Sequence, residues 1–81
     1  MKVQILMFAQ ARQILNQSEV SLDIPDDASV SQLRVAVGES WPELQPLLDR
    51  SSFSLNGAYA GESDPIPVDA EIAMIPPVSG G

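Results

Sequence analysis

The end of the sequence places the strongest constraint on the fold, because two prolines interrupt a short apolar run there. Residues 72–75, Ile-Ala-Met-Ile, favour a strand. The prolines at residues 76–77 lack the N–H that a sheet ladder needs, so the strand must end before them. A residue that precedes a proline is held extended, which predicts a stiff, polyproline-like stem. Residues 80–81 are glycines with few backbone limits, so the stem leads into a thin, flexible tip.

A stiff stem with a tip free of side chains can enter a channel that is too narrow for other residues. The only chemical group at this tip is the α-carboxylate of Gly81. We interpret this carboxylate as a group that a partner enzyme activates and that then carries cargo. The alternative is an ordinary frayed terminus, since many domains end in small polar residues. The predicted insertion tail comprises Pro76, Pro77, Val78, Ser79 and Gly80, with Gly81 as the reactive residue.

The composition excludes several classes of function. The 81 residues predict one domain with a small core, and they include neither cysteine nor histidine. The chain therefore has no disulfide, no thiol nucleophile and no thiolate or imidazole ligand, and we expect no bound metal or cofactor. A formal net charge of −7 argues against nucleic acid, whose phosphates require a basic face. The same charge is compatible with simple solubility or with steering toward a basic partner.

The sequence predicts no targeting or membrane segment. Its start, Lys2 followed by an apolar run, is interrupted by Gln4 and is too short for a signal peptide. No stretch of the sequence is long and apolar enough to cross a membrane. We therefore expect a mature cytoplasmic protein.

The first third of the sequence predicts two antiparallel strands joined by a short helix. Residues 2–8 form the first strand, and residues 19–24 alternate apolar with polar side chains as a half-buried second strand. Between them, residues 9–16 predict a helix that ends at Asn16. The side chains expected to point inward from this helix are Ala11, Ile14 and Leu15.

A capping box marks the start of the principal helix. Ser29 is the expected N-cap, and Gln32 three residues later completes the box. Apolar residues then recur at helical spacing and are expected to face the core. These residues are Val30, Leu33, Val37 and Trp41. A further short helical turn is expected over residues 42–49, and it carries Leu44, Leu47 and Leu48.

The last third of the sequence predicts three strands. Residues 52–55 and 58–60 flank Asn56-Gly57, a strong signal for a two-residue hairpin, and residues 71–75 form the last strand. If the first and last strands lie parallel and adjacent at the centre of the sheet, the intervening chain supplies the crossover. The expected architecture is α+β, with a mixed sheet of about five strands, one main helix and short additional helices.

This arrangement places apolar side chains together on the sheet face away from the main helix. Such a patch beside the tail is typical of a docking surface, whereas loops folded over it would make it ordinary core. The expected domain covers residues 1–75, and the extended tail covers residues 76–81. The predicted partner interface comprises Leu6, Phe8, Tyr59, Ala73 and Ile75.

Two segments of the sequence resemble the small, sulfur-carrying subunit family of molybdopterin synthase. The first is Phe-Ala-Gln-Ala-Arg at residues 8–12, and the more specific second is Ile-Pro-Pro-Val-Ser-Gly-Gly at residues 75–81. The resemblance covers the full length in the order of elements and implies a ubiquitin-like β-grasp fold. Asp69-Ala70 stands where this family commonly has Gly-Asp, and Ile75 stands where it often has a larger aromatic residue.

The resemblance implies a sulfur carrier of molybdenum-cofactor synthesis that is not catalytic alone. An E1-like adenylyltransferase would use ATP to form a transient acyl-adenylate at Gly81, which is then converted to a thiocarboxylate. The tail that carries the thiocarboxylate would enter the large subunit of molybdopterin synthase and donate sulfur to cyclic pyranopterin monophosphate. The implied assembly is a heterotetramer of two small and two large subunits. The family's tail site falls on residues 80–81, and its docking positions fall on Phe8, Tyr59 and Ile75.

Three other functions are compatible with parts of the sequence. Sulfur carriers of thiamine synthesis and ubiquitin-like modifiers share the fold and the terminal Gly-Gly, but they generally lack the Pro-Pro stem. A protein modifier would be joined through Gly81 to lysine side chains of other proteins. An acidic interaction module with an idle tail would bind its partner equally well when truncated at Ser79.

Overall fold

The computed structural model describes residues 1–77 of the chain. Within these residues the structure contains five strands and three α-helices. The strands are β1 (Lys2–Met7), β2 (Glu19–Asp23), β3 (Ser52–Leu55), β4 (Ala58–Ala60) and β5 (Ile72–Ile75). The helices are α1 (Ala9–Leu15), α2 (Val30–Ser40) and α3 (Gln45–Leu48), and a 3-10 turn, Pro42–Leu44, leads into α3. Each strand therefore begins and ends within one residue of the boundary that the sequence predicted.

The strands form a single mixed sheet in the order β2-β1-β5-β3-β4. The first and last strands, β1 and β5, are parallel neighbours at its centre, as the sequence predicted. Strand β2 pairs antiparallel with β1, and β3 pairs antiparallel with both β5 and β4. The described chain is therefore the expected α+β fold of the β-grasp type, with the last strand held between β1 and β3.

One face of the sheet packs against α2 and forms the core. In β1, alternate residues Val3, Ile5 and Met7 are buried, which is the expected two-residue period. In α2, Val30, Leu33 and Val37 are fully buried. Trp41, which was expected to face the core, is only partly buried. The leucines of the short helical segment after α2, which are Leu44, Leu47 and Leu48, are buried.

The predicted capping box at the start of α2 is present. The Ser29 side chain accepts a hydrogen bond from Gln32 N, and Ser29 N donates to Gln32 Oε1 at 2.8 Å. The loop that follows β4 satisfies two further amides of the first turn. Val30 N donates to Asp64 O at 3.0 Å, and Ser31 N donates to Glu62 O at 2.9 Å. This loop is therefore part of the helix cap, because those N–H groups have no partner within the helix.

Arg34 of α2 ties the same loop to the region around α3. Its Nε and Nη2 donate to the two carboxylate oxygens of Glu62 at 2.9 and 2.8 Å. Its Nη1 donates to the carbonyl oxygens of Leu48 and Ser51, the latter at 3.0 Å. Its guanidinium carbon lies 5.2 Å from the centroid of the Phe53 ring, within the range of a cation–π contact.

The short helix α1 departs from the sequence prediction at one residue. Ala11 is fully buried and Leu15 is partly buried, but Ile14 remains 44% exposed instead of facing the core. Because α1 has only two turns, it covers the sheet over a narrow stripe centred on Ala11, and Ile14 falls beside that stripe. Asn16 ends the helix in the left-handed conformation at φ 55°, as predicted.

Two turns also adopt the backbone geometry that their residues favour. Asn56 and Gly57 have φ values of 53° and 85°, so the expected two-residue hairpin joins β3 to β4. Asp69 has φ 60°, which is the left-handed conformation that aspartate tolerates better than most residues. The replacement of the family's usual Gly-Asp by Asp69-Ala70 therefore preserves the turn before β5.

Candidate docking face and carrier tail

The sheet face opposite α2, which we call the open face, carries a continuous row of residues from four strands. Leu6 of β1 lies opposite Ala73 of β5, and Ala73 lies opposite Ser54 of β3. Ser54 in turn lies opposite Tyr59 of β4. We call these four residues the central row. Adjacent strands are about 4.8 Å apart, so the row spans about 14 Å from Leu6 to Tyr59.

The central row is a shallow surface with raised ends. Ala73 and Ser54 are small and are only 7% and 8% exposed, whereas Tyr59 is 73% exposed and Leu6 is partly exposed. Ala73 was predicted as an interface residue, and the structure places it on the expected face as the floor of the surface. Ser54 was not predicted, although its position between the apolar residues Phe53 and Leu55 indicates the opposite face.

Two larger apolar side chains extend the surface toward the tail. Phe8 lies two residues beyond Leu6, and Ile75 lies two residues beyond Ala73, so the alternation of extended chain directs them to the same face. Phe8 is 47% exposed, and Ile75 is partly exposed. The structure thus brings together Leu6, Phe8, Ala73 and Ile75 from the two central strands, with Tyr59 two strands away.

Phe8 owes its exposure to the way that β1 ends. It is the extended N-cap residue of α1, with φ −123° and ψ 155°, and its side chain makes no capping hydrogen bond. Ala9 follows with φ 51°, so the chain turns sharply immediately after Phe8. An L-residue with a Cβ in this conformation costs about 1–2 kcal/mol. No feature of the sequence predicts this strained alanine.

The start of the tail is the part that the structure describes. Pro76 is buried beside the end of β5, and Pro77 is exposed. The remaining predicted tail residues, Val78, Ser79, Gly80 and Gly81, lie outside the described residues. The tail therefore leaves the sheet directly from the central strand β5, next to Ile75.

The described residues offer no acid–base or metal site on the open face. Two carboxyl groups have lowered pKa values, and both owe the shift to partners elsewhere. The pKa of Asp26 is lowered mainly by its hydrogen bond from the Met1 ammonium, and the pKa of Glu62 mainly by its hydrogen bonds from Arg34. Within residues 1–77, no three Asp or Glu side chains are grouped to hold a metal ion. None of the helices described is long and apolar enough to span a membrane.

Comparison with known proteins assigns the chain to one family. The model of the ThiS family matches residues 5–81. The chain is 32% identical over 80 residues to the molybdopterin synthase sulfur carrier subunit of Dictyostelium discoideum, covering 95% of this chain and 93% of the relative. It is 30% identical over 81 residues to the protein of the same name from Caenorhabditis elegans, covering 98% and 96%.

Solved structures support the same fold. SAMP1 from Haloferax volcanii superposes with a TM-score of 0.85 at 25% identity, covering 100% of both chains. The H. volcanii small archaeal modifier protein 1 gives a TM-score of 0.83 at 24% identity, covering 95% of this chain and 98% of the other. A chain in the complex of subunits 1 and 2 of the molybdopterin-converting factor from Helicobacter pylori gives 0.69 at 21% identity, covering 100% of both. With the family model matching nearly its whole length, the chain belongs to the ThiS family.

Proposed function

We propose that this protein is a sulfur carrier of molybdenum-cofactor synthesis and serves as the small subunit of molybdopterin synthase. The observation that carries this proposal is the full-length similarity to relatives named molybdopterin synthase sulfur carrier subunit. The open face and the exit of the tail from β5 are compatible with this role. The compartment is proposed to be the cytoplasm.

The proposed chemistry takes place on the carboxylate of Gly81. A carboxylate oxygen attacks the α-phosphorus of ATP in an E1-like adenylyltransferase, pyrophosphate leaves, and an acyl-adenylate forms. A sulfur nucleophile at the oxidation level of sulfide, such as hydrosulfide, then attacks the acyl carbon and displaces AMP, and loss of its proton leaves a thiocarboxylate. Activation is needed because an unmodified carboxylate has no good leaving group. The sulfur is held on an acyl carbon, so the carrier needs no cysteine, and the chain has none.

The proposed partner for sulfur donation is the large subunit of molybdopterin synthase. The open face docks on the large subunit through Leu6, Phe8, Tyr59 and Ile75, with Ala73 as the floor of the contact. The tail of residues 76–81 then enters the active site, where the thiocarboxylate donates sulfur to cyclic pyranopterin monophosphate. The proposed assembly contains two small and two large subunits.

A Gly81→Ala variant and a variant with one added C-terminal residue test this proposal. Either change places extra atoms at the tip of the tail. Both variants are therefore expected to abolish molybdopterin formation in a reconstituted synthase, while the free energy of unfolding stays unchanged. Gly61→Ala is a matched control, because its added Cβ would come no closer than 3.7 Å to a neighbouring atom, Asp64 Oδ2. Normal molybdopterin synthesis by the extended carrier, without trimming, would contradict the proposal.

A second candidate function is that of a protein modifier, which the 25% identity to the archaeal modifier protein SAMP1 from Haloferax volcanii favours. A modifier would form an amide between Gly81 and a lysine of a target. An antibody against the chain would then detect conjugates of higher mass in denaturing gels of cell protein. A carrier dedicated to sulfur transfer, for this pathway or for thiamine synthesis, predicts no such conjugates.

A further inference from the structure

Glu19 extends the central row at the edge of the sheet. It lies on β2 directly opposite Leu6 of β1, so the two side chains are on the same face. Directly opposite residues of an antiparallel pair have Cβ atoms about 5 Å apart. The exposed carboxylate of Glu19 is therefore in the immediate neighbourhood of the proposed docking surface.

Glu71 borders the same surface from the centre of the sheet. It is exposed and lies two residues before Ala73, so the alternation of extended chain directs it to the open face. Its backbone is fixed by Asn56, since Glu71 N donates to Asn56 Oδ1 at 2.9 Å and Asn56 N donates to Glu71 O at 2.8 Å. These two hydrogen bonds hold the backbone of Glu71 in place beside the central row.

The two glutamates of this border form no ion pair with the cations of residues 1–77. Lys2 also lies on the open face, opposite Asp23 and four residues before Leu6 along β1. Arg34 is engaged by Glu62 and by two carbonyl oxygens. Within the described chain, neither Glu19 nor Glu71 takes part in an ion pair.

We propose that Glu19 and Glu71 form an acidic border that receives lysine or arginine side chains of the large subunit when the open face docks. The inference rests on the proposed function and adds the chemistry of the partner's complementary surface. Its two supports are the direct register between Glu19 and Leu6 and the absence, within the described part of the chain, of an ion pair to either glutamate.

The physical role of such a border is orientation and speed of association. Leu6, Phe8, Tyr59 and Ile75 supply the apolar contact area but fix the direction of docking only weakly. Charges at the rim of an interface chiefly change the association rate and its dependence on salt. The carboxylates of Glu19 and Glu71 favour the docked orientation in which they meet a basic patch on the large subunit. In this orientation the tail points toward the active site of the large subunit.

Kinetics of binding to the purified large subunit test the inference. The variant Glu19→Gln/Glu71→Gln removes both border charges and keeps the shape of both side chains. The control Asp27→Asn/Glu39→Gln removes two exposed charges from the turn before α2 and from α2 itself. Both variants change the net charge equally, so any difference between them reports the position of the charges.

The expected result is that the border variant associates several-fold more slowly than wild type at low ionic strength. Its dissociation rate should be nearly unchanged, and its association rate should depend less steeply on salt. For the control variant, the change in the logarithm of the association rate constant should be less than half of that for the border variant. Reversal of both charges, in Glu19→Lys/Glu71→Lys, should slow association further, by about tenfold or more.

Three results would overturn the inference. Equal slowing by the border and control variants would indicate a net-charge effect alone. Self-association of the Glu19→Gln/Glu71→Gln variant, with unchanged binding to the large subunit, would indicate that Glu19 only protects the edge strand β2 from pairing. Absence of binding by wild-type protein would overturn the proposed function and this inference together, which distinguishes it from the first two results.

Discussion

Leu6 of β1 lies directly opposite Ala73 of β5 in the parallel pair at the centre of the sheet. This pair joins the start of the chain to the strand that leads into the tail. Because β5 ends at Ile75 and the next residue is the buried Pro76, the stem begins on the rigid sheet and not on a loop. A partner that binds the open face therefore also fixes the position at which the tail begins.

Substitution of Phe8 by aspartate should weaken binding to the large subunit. Loss of a large apolar anchor at an interface can cost about 2 kcal/mol, which corresponds to a roughly 30-fold higher dissociation constant. The fold should survive, because Phe8 is already 47% exposed and aspartate is a favoured N-cap for α1. Titration calorimetry with the large subunit measures the effect.

Val35→Asp provides the control for Phe8→Asp. Val35 is 61% exposed on α2, which packs on the other face of the sheet, and the substitution makes the same change of charge. Its effect on binding should stay below about 0.5 kcal/mol. Equal weakening by Val35→Asp and Phe8→Asp would remove the evidence for an open-face interface.

Substitution of Ala9 by glycine should leave stability unchanged or raise it by up to about 1.5 kcal/mol. Glycine relieves the strain of the positive φ, worth about 1–2 kcal/mol, but it costs about 0.5–1 kcal/mol in unfolded-state entropy. Ala58→Gly, at a strand position in β4, should instead destabilise by about 0.5–1 kcal/mol. Urea denaturation measures both variants. Equal destabilisation by the two would show that Ala9 is not strained.

Substitution of Arg34 by lysine should lower the free energy of unfolding by about 1–2 kcal/mol. A single ammonium cannot donate at once to both oxygens of Glu62 and to the carbonyls of Leu48 and Ser51. Arg50→Lys is the matched control, since the Arg50 side chain is exposed and donates one long hydrogen bond, 3.4 Å, to Pro46 O. The control should change stability by no more than about 0.5 kcal/mol.

The ion pair between Arg34 and Glu62 should also make stability depend on pH. Hydrogen bonds from Arg34 lower the pKa of Glu62 in the folded protein. The stabilisation is therefore complete above the ordinary glutamate pKa of about 4.3 and is lost as the pH falls through the lower folded value. Because Glu62 is largely exposed, the effect should remain below about 1 kcal/mol.

The difference between wild type and Glu62→Gln isolates this contribution from that of the other carboxylates. Urea denaturation at pH 7 and at about pH 3 should show a larger loss of stability in wild type than in Glu62→Gln. Identical losses in the two proteins would contradict a stabilising role for the ionised Glu62.

Features that depend on local chemistry could be predicted from the sequence. The capping box of Ser29 and Gln32 and the hairpin at Asn56-Gly57 follow from residues a few positions apart. The left-handed turn at Asp69 was expected from the family resemblance, together with the tolerance of aspartate for this conformation. The central placement of β1 and β5 followed from the order of the elements. The open-face position of Leu6 followed from the apolar content of both faces of the first strand.

Features that depend on tertiary contacts could not be predicted. The positive φ of Ala9 contradicts the preference of alanine and arises where β1 must turn into α1. Ile14 matches the helical period, but the narrow coverage by α1 leaves it exposed. The four donor contacts of Arg34 come from partners distant in sequence, and a lone arginine on a helix gives no signal for them.

The mass of the protein isolated from cells tests the central claim most directly. Intact-mass spectrometry, followed by fragmentation of the last peptide, determines the chemical state of Gly81. The account predicts a population in which one oxygen of the terminal carboxylate is replaced by sulfur, and this population should disappear when the activating enzyme is deleted. A terminal carboxylate that never carries sulfur, in cells that make active molybdoenzymes through this chain, would contradict the account.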